Sequence, residues 1–180
     1  FEADDLIGTY ARIAEEQGFT VIMVTGDKDF MQLVTDNITI WDPMKEKTLD
    51  IQAVREEFGV EPHQMIDVMG LSGDSADNVP GVPGIGQKTA LGLVKSHGNM
   101  EQLYEVVDSI TKKKQRENLI AYKDQAFLSR KLVTIDTRVP VIVPIDDFDI
   151  KPPDTAALSK LFQTLEFRQL QQSVSATSDL

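Results

Sequence analysis

Thr20-Val21-Ile22-Met23-Val24-Thr25-Gly26-Asp27-Lys28-Asp29 decides the fold class of this 180-residue chain. Its first six residues form a continuous apolar and β-branched run, the mark of a buried parallel strand. Gly26 breaks the run and two carboxylates follow at once. Asp27 and Asp29 therefore sit at the carboxyl edge of the strand, where open α/β sheets bind ligands. Residues two apart point the same way in extended chain, so both acids can face one cation. An Asp-rich turn or helix cap is the competing reading of the same residues.

Working outward, residues 2–17 read as a helix, with Leu6, Ile7, Tyr10, Ala11, Ile13 and Ala14 at helical spacing and Gly18 as the stop. Residues 30–34 read as a short helix, residues 38–41 as a second strand, and residues 46–49 as a small hairpin arm. This order argues for an α/β sheet. After residue 50 the strand signal disappears. Residues 52–58, 62–69, 87–96, 100–110, 116–121 and 125–132 all read as helices, and residues 140–144 as a short extended stretch. Pro152-Pro153-Asp154 caps a last helix running to about Leu170. The expected layout is part of a parallel-sheet α/β core in residues 1–50, a helical lobe in residues 51–172, and a frayed tail or linker in residues 173–180.

The acids recur in two further clusters, Glu2-Ala3-Asp4-Asp5 and Asp74-Ser75-Ala76-Asp77. Glu2 and Asp5 lie three apart on one helical face with Asp4 beside them. Complementing a helix macrodipole would need only one or two acids there. Asp74 and Asp77 repeat the spacing of three, and for them a capped turn is the bland reading. Acid at this density repels itself unless divalent cations neutralise it. Zero cysteines exclude disulfides and thiolate sites. Two histidines, His63 and His97, leave little for zinc, so a metal here would be a hard ion bound by oxygen.

The third cluster runs into Pro80-Gly81-Val82-Pro83-Gly84-Ile85-Gly86-Gln87-Lys88-Thr89-Ala90. Gly84-Ile85-Gly86 permits a tight link between helices, and the next helix opens with free N–H groups near residues 86–88. That is a natural phosphate seat, and Lys88 adds charge. The pattern is that of a helix–hairpin–helix, placed at residues 79–97.

The charge distribution agrees. The net charge is −11, yet residues 1–83 hold 5 Lys+Arg against 17 Asp+Glu, while residues 84–131 hold 9 against 5. An acidic half followed by a basic stretch suits an enzyme that needs acids for cations and bases for phosphates. A solvated helical surface accounts equally for the basic stretch taken alone, including Lys112-Lys113-Lys114-Gln115-Arg116. No apolar run approaches the ~18 residues of a membrane span.

Phe1-Glu2-Ala3-Asp4-Asp5, Thr25-Gly26-Asp27-Lys28-Asp29 and the run from Gly73 to Ala90 closely resemble the 5′-nuclease domain of bacterial DNA polymerase I, in the flap endonuclease superfamily. The likeness covers nearly the whole chain, including Leu165-Glu166-Phe167. It implies a PIN-like, flap-nuclease-like core and a bacterial cytoplasmic enzyme that removes 5′ flaps and RNA primers from DNA. In that family the positions matching Glu2, Asp4, Asp5, Asp27, Asp29, Asp74 and Asp77 surround two or more Mg²⁺ or Mn²⁺ ions. The hairpin, through Gly84, Gly86, Gln87, Lys88 and Thr89, grips the duplex backbone, often with a K⁺ ion on carbonyls that fall here at Val82 and Ile85. Gly81 stands where some relatives carry a hydroxyl.

The family also supplies aspartates, a sheet strand and a basic arch from sequence ahead of Phe1, which makes this chain a fragment expected to be inactive alone. A polymerase following in the same chain is the implied partner. Two rival functions remain open on the residues themselves. One is a non-catalytic helix–hairpin–helix module that binds duplex DNA, and the other is a phosphate-handling α/β enzyme acting on small molecules.

Overall fold

The computed structural model describes residues 1–177, which divide into a larger unit, Phe1–Ile145, and a smaller one that begins at Asp146. In the larger unit, α1 (Ala3–Glu16) leads into β1 (Val21–Val24), a 3-10 turn (Lys28–Leu33), β2 (Ile38–Asp42) and β3 (Lys47–Leu49). β1 pairs parallel to β2, with Val21 opposite Ile38, and β2 pairs antiparallel to β3, with Ile40 opposite Leu49. The α/β class is as the sequence reads, with the arm at β3 making the sheet mixed.

One expectation needs correcting. β1 is not buried on both faces: Met23 is 6% exposed, whereas Ile22 and Val24 are 62% and 67% exposed. The strand runs along the sheet edge, and its alternating residues split between the core and an apolar groove shared with Leu6 and Ile7 of α1. The buried residues of α1 are Gly8, Thr9, Ala11 and Ala14.

Six helices complete this unit: α2 (Ile51–Phe58), α3 (Met65–Ser72), α4 (Gln87–His97), α5 (Met100–Glu105), α6 (Lys113–Ala121) and α7 (Lys123–Val133). Local chemistry sets their ends. The Asp50 carboxylate caps α2 by accepting the Ala53 N–H at 2.8 Å, and Gly59 closes it in the left-handed region. Asn99 caps α5 through the N–H of Gln102. The stretch expected to be one helix over residues 100–110 ends at Glu105 and continues as a separate 3-10 turn, Val107–Ser109. α3 is the central element, apolar on nearly every side (Met65, Val68, Met69 and Leu71 all buried) and packed against both α4 and α7. Residues 140–144 join no strand.

In the smaller unit, α8 (Thr155–Thr164) starts on the Asp154 carboxylate, which accepts the Ala157 N–H at 2.9 Å. The last helix does not run unbroken to Leu170. Glu166 takes φ 57°, the Phe167 N–H reaches back to the Phe162 carbonyl, and the two phenyl rings meet at 6.4 Å. Leu165-Glu166-Phe167 is therefore a corner, and α9 (Arg168–Thr177) follows it. The tail expected to fray from Ser173 is helical as far as Thr177, and Ser178 to Leu180 lie outside the described residues.

Two helical glycines make the packing testable. A Cβ on Gly70 would lie 2.7 Å from Arg130 Cβ and 3.1 Å from its Cα, so neighbouring backbone would have to move, whereas nothing lies within 4 Å of one on Gly92. Alanine favours a helix over glycine by ~1 kcal/mol, and overpacking costs ~1–3 kcal/mol. Gly70→Ala is expected to destabilise the chain and Gly92→Ala to stabilise it, read as opposite shifts in the urea midpoint.

Candidate metal centre and nucleic-acid interface

The three acidic clusters come from three unconnected places and meet in one region. Glu2, Asp4, Asp5, Asp27, Asp29 and Asp77 line a single cavity of about 270 Å³, closed on another side by Leu132, Val133, Thr134 and Ile135. Asp74 stands behind it. One oxygen each from Asp29, Asp74 and Asp77 lie within 4.8 Å of one another, while Asp74 itself lines the neighbouring pocket that also holds Lys28.

Each cluster is aimed by its own local structure. β1 ends at Val24, and the chain turns immediately into the 3-10 turn, with Asp27 as its cap: Asp27 Oδ1 accepts the Asp29 N–H at 3.0 Å. Asp27 is extended, but Lys28 and Asp29 already belong to the 3-10 turn, so the three residues do not continue as the extended chain that the shared-face argument assumed. The turn itself brings the two acids together, so the cap and the site coexist. Glu2 and Asp5 bracket the start of α1, with the Glu2 N–H donating to Asp5 Oδ2 at 3.1 Å. Asp5 Oδ1 accepts the Asp136 N–H at 2.8 Å, so Asp5 also ties α1 to the segment beyond α7. Those two N–H groups, Asp136 first, hold its carboxyl below the ordinary carboxylate range.

Asp74 and Asp77 ride a loop pinched shut by an antiparallel bridge, in which Asp74 and Val79 exchange both backbone hydrogen bonds. The neck of this loop needs glycine. Gly73 and Gly81 have φ of 72° and 59°, and a Cβ on Gly73 would sit 2.5 Å from the Val79 carbonyl oxygen. Asp74 Oδ2 pairs with Lys28 Nζ at 2.9 Å and Oδ1 accepts the Ala76 N–H. Burial works to raise the Asp74 pKa, but Lys28 and the backbone donors outweigh it and the value falls.

The electrostatics record the convergence. Burial pushes the Asp29 carboxyl up to about 6, and Asp27, Asp74 and Asp77 add to the rise while Lys28 opposes it. Asp4 is raised by burial and then by Asp27, Glu2, Asp5 and Asp77, acids from all three clusters. Asp29 Oδ1 is buried and accepts no hydrogen bond. An orphaned carboxylate oxygen beside the carboxylates of Asp74 and Asp77 fits a hard divalent cation.

The hairpin has a different chemistry. The Ile85 N–H donates to the Val82 carbonyl at 3.0 Å, tightening the turn and occupying one lone pair of an expected K⁺ donor. Gly84 takes φ 77°, and Gly84, Gly86, Gln87 and Lys88 are exposed, with Thr89 half-buried. Gly86 caps α4 without a side chain, which leaves the first N–H groups of that helix uncapped by any side chain. The helix ahead of the hairpin is α3, because the Asp74–Val79 loop intervenes. The two-helix unit therefore spans Met65 to His97 rather than residues 79–97. Of the basic run, Arg116 is spent on the Ile110 carbonyl at 2.6 Å, in keeping with a solvated helix start.

Two contributors escaped the sequence reading. Lys28 is the counter-ion of Asp74, a role that charge between two aspartates hints at without naming a partner. Gln32, buried between apolar neighbours, bonds backbone on both sides of the cavity. A polar residue inside the run Phe30-Met31-Gln32-Leu33-Val34 was its only signal.

Comparison with known proteins follows the same division. Residues 1–59 match the model of the 5′-3′ exonuclease N-terminal resolvase-like domain, and residues 60–156 that of the 5′-3′ exonuclease C-terminal SAM fold. DNA polymerase I of Streptococcus pneumoniae serotype 4 is 41% identical over 183 residues, covering 99% of this chain and 21% of its own length. DNA polymerase I of Rhizobium leguminosarum is 44% identical over 179 residues, covering 99% of this chain and 18% of its own. The chain thus spans about a fifth of these relatives.

Among solved structures, a bacteriophage T5 5′-exonuclease mutant superposes with a TM-score of 0.68 at 26% identity, over 76% of this chain and 56% of that one. The T5 flap endonuclease in a pseudo-enzyme–product complex with DNA and metal ions reaches 0.69 at 20% identity, over 99% and 60% of the two chains. The catalytic core of Rad2 in complex with DNA substrate shares the fold at 0.58 and 16% identity, over 97% and 61%. Both family domains are matched in order and the acids of both meet in one cavity, so the chain belongs to the 5′-3′ exonuclease family.

Proposed function

We propose that this chain supplies the cation-binding and duplex-gripping parts of a structure-specific 5′ nuclease, one that hydrolyses phosphodiester bonds of DNA at 5′ flaps and RNA primers. The observation that carries the reading is the buried, unpartnered Asp29 Oδ1 within 4.8 Å of oxygens from Asp74 and Asp77. Glu2, Asp4, Asp5, Asp27, Asp29, Asp74 and Asp77 would hold two or more Mg²⁺ or Mn²⁺ ions, several of them through water. Such ions supply charge neutralisation at the phosphate and activation of water.

The residues themselves divide the work. Asp29 and Asp77 present carboxylate oxygens to the cavity, and Lys28 keeps Asp74 ionised beside them. Asp5 is chiefly a tether, since backbone N–H groups engage both of its oxygens. Gly84, Gly86, Gln87, Lys88 and Thr89 seat a backbone phosphate of the duplex at the start of α4, and the carbonyls of Val82 and Ile85 are candidate K⁺ donors. On this reading residues 1–50 carry the α/β part of the site, residues 51–172 the lobe that grips DNA, and a polymerase in the same protein extends the strand left behind.

The deciding experiment offers a 5′-flap DNA, with and without Mg²⁺, to the 180-residue chain and to a version extended at its amino end. Cleavage that requires Mg²⁺ in either supports the reading, and duplex binding with no cleavage in both favours the non-catalytic module. Asp27→Ala with Asp29→Ala is expected to abolish cleavage and leave duplex affinity within about threefold, by gel shift.

Asp29→Asn removes a charge held among like charges. In the absence of metal it should raise stability at pH 7 by on the order of 1 kcal/mol, after allowance for partial exposure. The melting rise that Mg²⁺ gives the wild type should disappear in the same variant. Lys88→Ala should weaken duplex binding alike for all sequences and flatten the salt dependence by about one charge, read from affinity against salt concentration.

A further inference from the structure

We propose that Gln32 is a positioning residue for the cation site, fixing Asp29 against the segment that follows α7; this rests on the reading of the acidic cavity given above. Gln32 is buried among the apolar side chains of Phe30, Met31 and Leu33. Its amide donates to the carbonyls of Asp29 and Val133, both at 2.8 Å, and its own carbonyl accepts the Ile135 N–H at 3.0 Å. Both donors and the acceptor of a buried amide are thereby used, and every partner is backbone.

The placement of those partners gives the residue its role. Asp29 carries the orphaned oxygen, and Val133 and Ile135 line the same cavity. The next residue, Asp136, donates its N–H to Asp5, and Thr9 of α1 bonds both the Asp136 carbonyl and the Val139 N–H. One side chain thus links the turn bearing Asp27 and Asp29 to a strap already tied to α1. Without it, the backbone of the 3-10 turn, apolar packing and the Asp27 cap would remain, and none of these ties Asp29 to the strap. Apolar packing specifies volume well but direction poorly, and a cation site needs direction.

Gln32→Met keeps the volume and deletes all three hydrogen bonds. Mg²⁺ binding by calorimetry and melting in EDTA are compared for wild type, Gln32→Met and Val54→Ala, a cavity variant in α2. Gln32→Met is expected to weaken Mg²⁺ affinity at least tenfold, while Val54→Ala, with a comparable drop in melting temperature, stays within twofold of wild type. Wild-type affinity in Gln32→Met, or equal weakening in both variants, overturns the inference. Gln32→Asn, an amide one methylene short, decides the matter by the same comparison if the methionine variant does not fold. A wild-type chain that binds no Mg²⁺ overturns the cation reading, and this inference with it.

Discussion

Like charges held together are the constraint on which this structure turns. Two carboxylates about 4 Å apart repel by roughly 4 kcal/mol at an effective dielectric of ~20, and here three clusters of acid share one neighbourhood. Besides Lys28, which pairs with Asp74, what opposes the repulsion is hydrogen bonding from a single stretch, α7 and the strap beyond it. Ser129 and Gln125 of α7 bond the N–H and carbonyl of Gly81, at the neck of the loop that bears Asp74 and Asp77. Val133 and Ile135 bond Gln32, and Asp136 bonds Asp5. Each acidic cluster is thus anchored to the same element, and none is anchored only to another acid.

The same element serves the hairpin. Gly81 lies between the acidic loop and the turn that begins α4, so the bonds from Ser129 and Gln125 set both at once. Asn118 of α6 adds a bond to the Pro83 carbonyl at 2.7 Å. One wall of the cavity, Asp77 and Val79, and the turn into α4 therefore lie on either side of the same anchored glycine.

Much of this was legible in the chain itself. The strand before Gly26, the helix before it and the helical lobe after residue 50 follow from periodicity, β-branching and capping residues. The acidic residues and the Gly-x-Gly turn declare themselves by composition, because a site for a hard cation requires oxygen donors and a phosphate seat requires free N–H groups. The reading failed where the decision lay between distant parts. Ile22 and Val24 read as core in any local window, while in this chain they line the groove with Leu6 and Ile7. The corner at Glu166 was invisible to a pattern that sees only helical spacing.

The sequence by itself determined which residues could bind cations and phosphate, since those capacities belong to side chains and to local turns. Only the tertiary structure decided how the acids share their labour: that Asp29 keeps a bare oxygen, that Asp74 is paired with Lys28, and that Asp5 is spent on backbone. The physical reason is range. Capping and periodicity act over a few residues, whereas the hydrogen bonds that aim these carboxylates join positions as far apart in the chain as Asp5 and Asp136.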